Sequence, residues 1–243
     1  MTDLIQTDDH GPVRLIVMNR ADKLNALNGE LSAGLMDALA AAGADDSVAA
    51  IVLAGEGRAF SAGADMKEAA SHAGQPQRKA IQGSGRSTGL FSAILNCEKP
   101  VIAAVNGFAL GAGCAIAISA DLVVAGEGAI FGYPEVKRGL AATAVTPTVV
   151  QQIGRKAASE LLLLCENVSA AEAHRLGLVN RVTPDGETRA TALAMAATLA
   201  GFDHDALWAT KRMIRRSADL PLDQAHAMAT DAMLVMGGFR EDA

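Results

Sequence analysis

Aromatic residues make up only 3% of this 243-residue chain, so whatever core it builds is drawn from Ala, Leu, Val and Ile. Cysteine is scarce too. Cys97, Cys114 and Cys165 lack zinc-ligand spacing and cannot all pair, which reads as reduced thiols in a cytoplasmic protein. Basic excess is missing: the formal charge is −6, with no basic stripe of the kind that holds nucleic acid. The N-terminal MTDLIQTDDH carries acids and no apolar core, so no secretory signal is expected. The five histidines are scattered and form no H-x-x-x-H pair, so no metal site is expected. There is no G-K-[ST] phosphate loop and no G-x-S-x-G nucleophile elbow.

What is present is apolar. Hydrophobic residues make up 50% of the chain, enough for one large domain or a core with a small appendage. The longest uncharged run is Pro100 to Asp121, PVIAAVNGFALGAGCAIAISAD. Its length raises the possibility of a membrane helix, but Asn106 and the glycines at 107, 111 and 113 speak against one. It reads instead as a buried strand over 101–105, a glycine-bearing connection over 106–113 and a buried helix over 112–120. A strand that turns through glycine into a helix leaves backbone N–H groups open at the helix start. Those suit an anion or a developing oxyanion; a plain buried β–α unit is the alternative.

The pattern elsewhere predicts a hairpin from 4–7 and 13–18, and a helix capped by Asn28 with Leu31, Leu35 and Leu39 on one face. A strand over 49–53 leads into the small-residue loop GEGRAFSAGADMKE, where Asp65 could open a short helix. Residues 71–86 are polar and read as a substrate-facing loop. Helix follows over 90–95, then strands over 122–125 and 129–131 and helices over 145–153 and 156–164. SAAEAHRLG reads as a capping box from Ser169 to Glu172, ahead of a strand over 179–182. From 187 onward only helix is expected, over 187–200, 203–217 and 222–236. The division drawn from this is an α/β core over 1–186 and a helical appendage over 187–243.

Four segments in order, NRADKLNALN, IVLAGEGRAFSAGADMKE, the long KPVIAAVNGFALGAGCAIAISADLVVAGEGAIFGYPEVKRGL and SAAEAHRLGLVNRV, resemble the crotonase (enoyl-CoA hydratase/isomerase) family. The resemblance covers most of the chain. It implies an α/β fold made as a spiral of ββα turns with C-terminal helices that trimerise, giving a homotrimer or homohexamer. It also implies an acyl-CoA thioester substrate, coenzyme A arriving as part of that substrate and no other cofactor, with neither nucleic acid nor membrane as partner.

By the same resemblance, Ala62 and Ala112 supply the two backbone N–H donors of an oxyanion hole. Lys23, Leu24, Ala26, Ala64, Asp65 and Met66 cradle the coenzyme A. For Lys23 and Asp65 the plain alternatives are a solvated loop charge and a helix cap. Glu135, just after Pro134, falls at a catalytic glutamate, with an ordinary loop carboxylate beside Lys137 and Arg138 as its alternative. Hydratases of the family hold water between two glutamates, and the other position is Ala115 here. The usual Pro-Gly-x-Gly-Gly run after Gly139 is also missing, and the chain stops at Arg240-Glu241-Asp242-Ala243 where relatives continue into an aromatic, basic tail. A single carboxylate can still carry a proton from one carbon to another, so double-bond isomerisation is the leading expectation. A hydratase with another polar group placing the water (His72, Tyr133 or Thr143) is the second. An idle acyl-CoA-binding scaffold is the third.

Overall fold

The computed structural model describes residues 3–71, 89–218 and 220–238. The loop expected at 71–86, with His72, and the C-terminal residues Arg240 to Ala243 fall almost wholly outside these. The described chain forms two units, residues 1–201 and 202–243.

The first unit is built on a six-stranded sheet in the order β1-β2-β3-β5-β7-β10. Its strands are β1 (Ile5–His10), β2 (Val13–Met18), β3 (Ala50–Gly55), β5 (Val101–Val105), β7 (Leu122–Gly126) and β10 (Arg181–Thr183). Only the β1–β2 hairpin is antiparallel; the other pairs are parallel. Strands buried on both faces need no polar alternation, and RLIVM, AIVLAG and VIAAV have almost none. Period two still sorts them. Ile16, Ile51, Leu53, Val101 and Val105 point into the main core, while Leu15, Ala50, Val52, Ala54, Ile102 and Ala104 point to the opposite face.

That opposite face carries small residues and is covered by α7 (Thr188–Ala200) through Ala192 and Ala196. Helix α7 was expected in the appendage after 186. Its alanines let it lie close on the sheet instead, so the first unit runs to residue 201. The second unit contains α8 (His204–Ser217), capped by Asp203, and α9 (Leu222–Gly238), close to the expected spans.

A second sheet, β4-β6-β8-β9, is made of short strands: β4 (Ala59–Ser61), β6 (Phe108–Leu110), β8 (Ile130–Gly132) and β9 (Val168–Ser169). Each turn of the chain places one strand in the large sheet, the next in the small sheet, and then a helix. So β3–β4 leads to α2 (Met66–Ser71), β5–β6 to α4 (Ala112–Ser119) and β7–β8 to α5 (Thr146–Ser159), with helical residues 89–96 (α3) ahead of β5. This is the expected spiral. Strand β6 was hidden in the stretch read as a glycine connection. The two strands expected over 122–125 and 129–131 form as β7 (Leu122–Gly126) and β8 (Ile130–Gly132) and belong to different sheets.

Smaller expectations resolve in the same way. Asn28 caps α1 (Gly29–Ala44) through the Leu31 amide at 2.9 Å, and Leu31, Leu35 and Leu39 are buried together. Gly154, at φ +74°, breaks the two helices expected over 145–164, and the second continues as a π-helical turn over Glu160–Leu164. Ser169 caps α6 (Ala170–Leu176), but Glu172 pairs with Arg175, so only half of the capping box forms.

Candidate active site

The site begins in a loop that does little in the sequence pattern. Residues 20–28 pass through a short 3-10 turn, and then Leu24 and Asn25 both take positive φ of 53°. Asn25 is fully buried. Its Oδ1 accepts from the Arg20 amide at 2.8 Å, and its Nδ2 donates to the carbonyls of Glu56 and Ala59 at 3.0 and 2.8 Å. A polar residue this deep is tolerated because its amide is satisfied on both sides. It ties the loop to the β3–β4 turn. Nothing in the local sequence marks it beyond asparagine's tolerance of the left-handed region.

The amides of the SAGAD turn are then taken up in order, two by the loop and one by the turn's own Ser61. Ala62 donates to the Leu24 carbonyl at 2.9 Å, Gly63 to Ser61 Oγ at 3.2 Å, and Asp65 to the Leu27 carbonyl at 2.9 Å. Ser61 Oγ itself donates to the Asn25 carbonyl at 2.8 Å. The Ala64 amide is passed over and meets no acceptor among the described residues. The expectation for Ala62 is therefore corrected: its N–H is committed to Leu24, and the open donor lies two residues on.

On the other turn Gly111 donates to the Gly132 carbonyl at 2.8 Å, and Ala115 closes the first helical turn onto the Gly111 carbonyl at 3.0 Å. Ala112, the first residue of α4, keeps one of the free N–H groups that every helix start leaves. The two turns abut. A Cβ on Gly63 would sit 2.5 Å from the Leu110 carbonyl and 3.4 Å from the Ala112 nitrogen; one on Gly113 would sit 2.4 Å from the Ser61 carbonyl. Gly63 also lies at φ +88°, where side chains are strained.

Ala64, Ala112 and Glu135 line one cavity of about 160 Å³, walled by Phe91, Leu140, Ala142 and Val145 among others. Glu135 opens the 3-10 turn Val136–Arg138, which follows β8. Its Oε1 comes within 2.8 Å of where a Cβ on Gly111 would stand. Burial raises the Glu135 pKa, and the nearby Arg138 opposes the rise only in part. A carboxyl shifted upward next to two open N–H donors is suited to taking and returning a proton. Glu135 is the only carboxylate among the described residues lining this cavity. Ala115 does not line it: that residue is 1% exposed, packed in the main core.

A second cleft, of about 430 Å³, shares Ala64, Met66 and Arg138 with the first. Lys23, Ala26, Ala64, Asp65 and Met66, expected to hold coenzyme A, all line it, together with Arg20, Asn28 and Lys67. Leu24 does not; its part is the carbonyl that occupies Ala62. The Asp65 carboxylate bridges to Arg20 Nη1 at 2.7 Å and caps α2 through the Lys67 and Glu68 amides at 3.0 and 3.3 Å. The Asp65 carboxylate thus serves as a helix cap while the residue also lines the cleft. Lys23 reaches Asp22 at 3.3 Å in the open. Arg138 was read only as a neighbour of Glu135, and its place at the junction of the two spaces depends on the 3-10 turn, which no motif announced. Of the polar groups considered as water holders, Thr143 lines a separate groove beside α5, and Tyr133 is fully buried two residues before Glu135 in the chain.

Comparison with known proteins points to one family. The family model for enoyl-CoA hydratase/isomerase matches residues 8–242. The 2,3-dehydroadipyl-CoA hydratase of Escherichia coli (strain K12) is 38% identical over 211 residues, covering 86% of this chain and 81% of that protein. The short-chain-enoyl-CoA hydratase of Clostridium acetobutylicum is 34% identical over 232 residues, covering 93% and 86%. Among solved structures, an enoyl-CoA hydratase from Polaromonas sp. JS666 superposes with a TM-score of 0.90 at 31% identity, covering 95% of this chain and 90% of that one. With its motifs, its spiral of ββα turns and its paired open amides beside a glutamate, the chain belongs to the enoyl-CoA hydratase/isomerase family.

Proposed function

We propose that this acyl-CoA enzyme moves an enoyl double bond, with Glu135 as the only proton carrier. The thioester carbonyl of a 3-enoyl-CoA accepts hydrogen bonds from the Ala64 and Ala112 amides. Glu135 removes a proton from C2, and the electron pair delocalises as a dienolate onto the thioester oxygen. The carboxylic acid then returns the proton to C4, leaving the 2-enoyl-CoA and restoring the carboxylate. Each preorganised amide donor is worth about 10²–10³ in rate. The coenzyme A portion extends over the cleft lined by Lys23, Ala26, Asp65 and Met66, and no further cofactor is needed for the step. The observation that carries this reading is the single carboxylate among the described residues of the reaction cavity, with Ala115 buried outside it.

Hydration of a 2-enoyl-CoA is the second reading, favoured by relatives that bear hydratase names. The two separate on one preparation by comparing 3-hexenoyl-CoA isomerisation with crotonyl-CoA hydration. Isomerisation is expected to dominate; dominant hydration would overturn the proposal. Glu135→Gln is expected to lower isomerisation by about 10²–10⁴ while binding of a CoA ester persists. No turnover of any acyl-CoA ester by the intact protein, with binding kept, would mark it as an idle scaffold.

A further inference from the structure

Two buried side-chain polar atoms among the described residues lack a hydrogen-bond partner: the Tyr133 hydroxyl and Glu135 Oε2. They belong to residues two apart on the segment that leaves β8. An unsatisfied buried polar atom costs on the order of 1–3 kcal/mol, and native interiors rarely keep one without a use. Here there are two, one a donor and one an acceptor, on either side of Pro134. The Cys114 thiol on α4 is buried beside them. It is a hydrogen-bonding neighbour of the Tyr133 hydroxyl, although the contact falls short of full hydrogen-bond geometry.

We infer that the Tyr133 hydroxyl is a positioning residue for Glu135, the two sharing one bound water that donates to Oε2. A buried water is held by two to four polar partners, and hydroxyl, carboxylate and thiol supply them. Direct donation from the hydroxyl to the carboxylate is not what the structure shows, since neither atom has the other as a partner. The water holds the carboxylate's rotamer and supplies the hydrogen bond that an ionised oxygen needs when little solvent reaches it. That leaves Oε1, the oxygen facing the Gly111 turn, to carry the proton. A carboxyl whose two oxygens do different work stays in line with both carbons of a proton shuttle.

The inference rests on Glu135 being the proton carrier. Among the described residues, the titratable and charged groups around that carboxyl are Tyr133 on its own segment, Cys114 on α4 and Arg138 on the 3-10 turn. Burial pushes the Cys114 thiol up to about 12 and the Tyr133 hydroxyl well above its ordinary range. Neither ionises where the enzyme works, so a pH effect in this range reports on Glu135.

The test is Tyr133→Phe, which removes one oxygen that makes no full hydrogen bond among the described residues, compared with the intact enzyme and Glu135→Gln. The expected result is a kcat about tenfold lower, the scale of one hydrogen bond to a charged group. KM should stay within about twofold and the melting temperature should be unchanged or higher. Because the lost hydrogen bond favoured the charged carboxylate, the acidic limb of the pH–rate profile should move to higher pH. The Glu135 carboxyl resonance, followed by ¹³C NMR, should titrate at higher pH in the variant. A wild-type kcat, pH limb and Glu135 titration in Tyr133→Phe would overturn the inference, provided Glu135→Gln is inactive. A clear fall in melting temperature would also overturn it, by showing that the hydroxyl is structural. Full turnover in Glu135→Gln would instead overturn the assignment of Glu135 itself.

Discussion

Residues 61–65 and residues 111–115 each leave one backbone amide open beside the cavity, but the first turn is held by side chains and the second by backbone alone. In the first, Asn25, Ser61 and the Arg20–Asp65 pair fix the loop that occupies Ala62 and Asp65, and Ser61 itself takes the Gly63 amide. In the second, the Gly132 carbonyl and the first helical bond do the work, and every residue of α4 beyond Ala112 is buried. A free, preorganised donor is made by satisfying its neighbours, because an amide with nothing to hold its plane would turn towards whatever acceptor is near. The side-chain solution can be weakened in steps. The backbone solution depends on clearance and fails all at once.

Gly113 tests that clearance and carries the largest expected effect. A Cβ there would lie 2.4 Å from the Ser61 carbonyl and 2.7 Å from the Ser61 Cβ, so backbone must move on one turn or both. Gly113→Ala is expected to cost about 3 kcal/mol or more in stability. Because the two turns abut there, both amides should lose their aim, and activity on acyl-CoA esters should fall below detection even in the folded fraction. Thermal unfolding together with turnover corrected for folded protein measures both. A folded, active variant would show that the turns are not interlocked at this point.

Asn25→Ala addresses the side-chain solution. It leaves the Glu56 and Ala59 carbonyls and the Arg20 amide without their buried partner, and it puts alanine at a positive φ. The expected cost is about 2–3 kcal/mol. Activity should fall but persist, since the backbone bonds from Ala62 to Leu24 and from Asp65 to Leu27 remain. Denaturant unfolding and kcat on the same sample check this. A loss as complete as that from Gly113→Ala would mean the first turn has no backbone support of its own.

Much of this was legible in the sequence because it rests on patterns that sequence carries. Continuous apolar runs marked β2, β3 and β5, Asn28 and Ser169 marked helix starts, and the motif order marked the spiral. Glu135 stood out by its place after Pro134. The open amide was not legible. In Ser-Ala-Gly-Ala-Asp the small residues are near-equivalent, and the choice between Ala62 and Ala64 is made by Leu24 and Leu27, about forty residues earlier. Strand β6 was concealed because three residues between two positive-φ glycines gain strand geometry only from β4 and β8 on either side. Asn25 was concealed because a buried staple in a loop has no period. Helix α7 was misplaced because its fit to the sheet depends on Ala192 and Ala196 meeting the small residues of distant strands.

Asp65→Asn sharpens the comparison at its smallest scale. Asparagine keeps an acceptor for the Lys67 and Glu68 amides, so the cap of α2 survives and only the charge against Arg20 is removed. The pair is mostly shielded, with side chains 18% and 13% exposed, which places the expected loss near 1 kcal/mol at neutral pH. The Arg20 hydrogen bond, ahead of the capping amides, holds the Asp65 pKa below its ordinary 3.8. A carboxyl depressed in the folded state stabilises it fully above the unfolded value and loses that contribution as pH falls through the folded one. The stability gap between the intact protein and Asp65→Asn should therefore be constant above about pH 4 to 5 and close below it. Chemical unfolding at a series of pH values measures the gap. The turn at 111–115 holds no group that titrates in that range, since its one thiol lies near 12. Acid should loosen the Ala64 side of the cavity before the Ala112 side, and a gap that stays open at pH 3 would show that the Arg20–Asp65 charge pair does not hold the first turn.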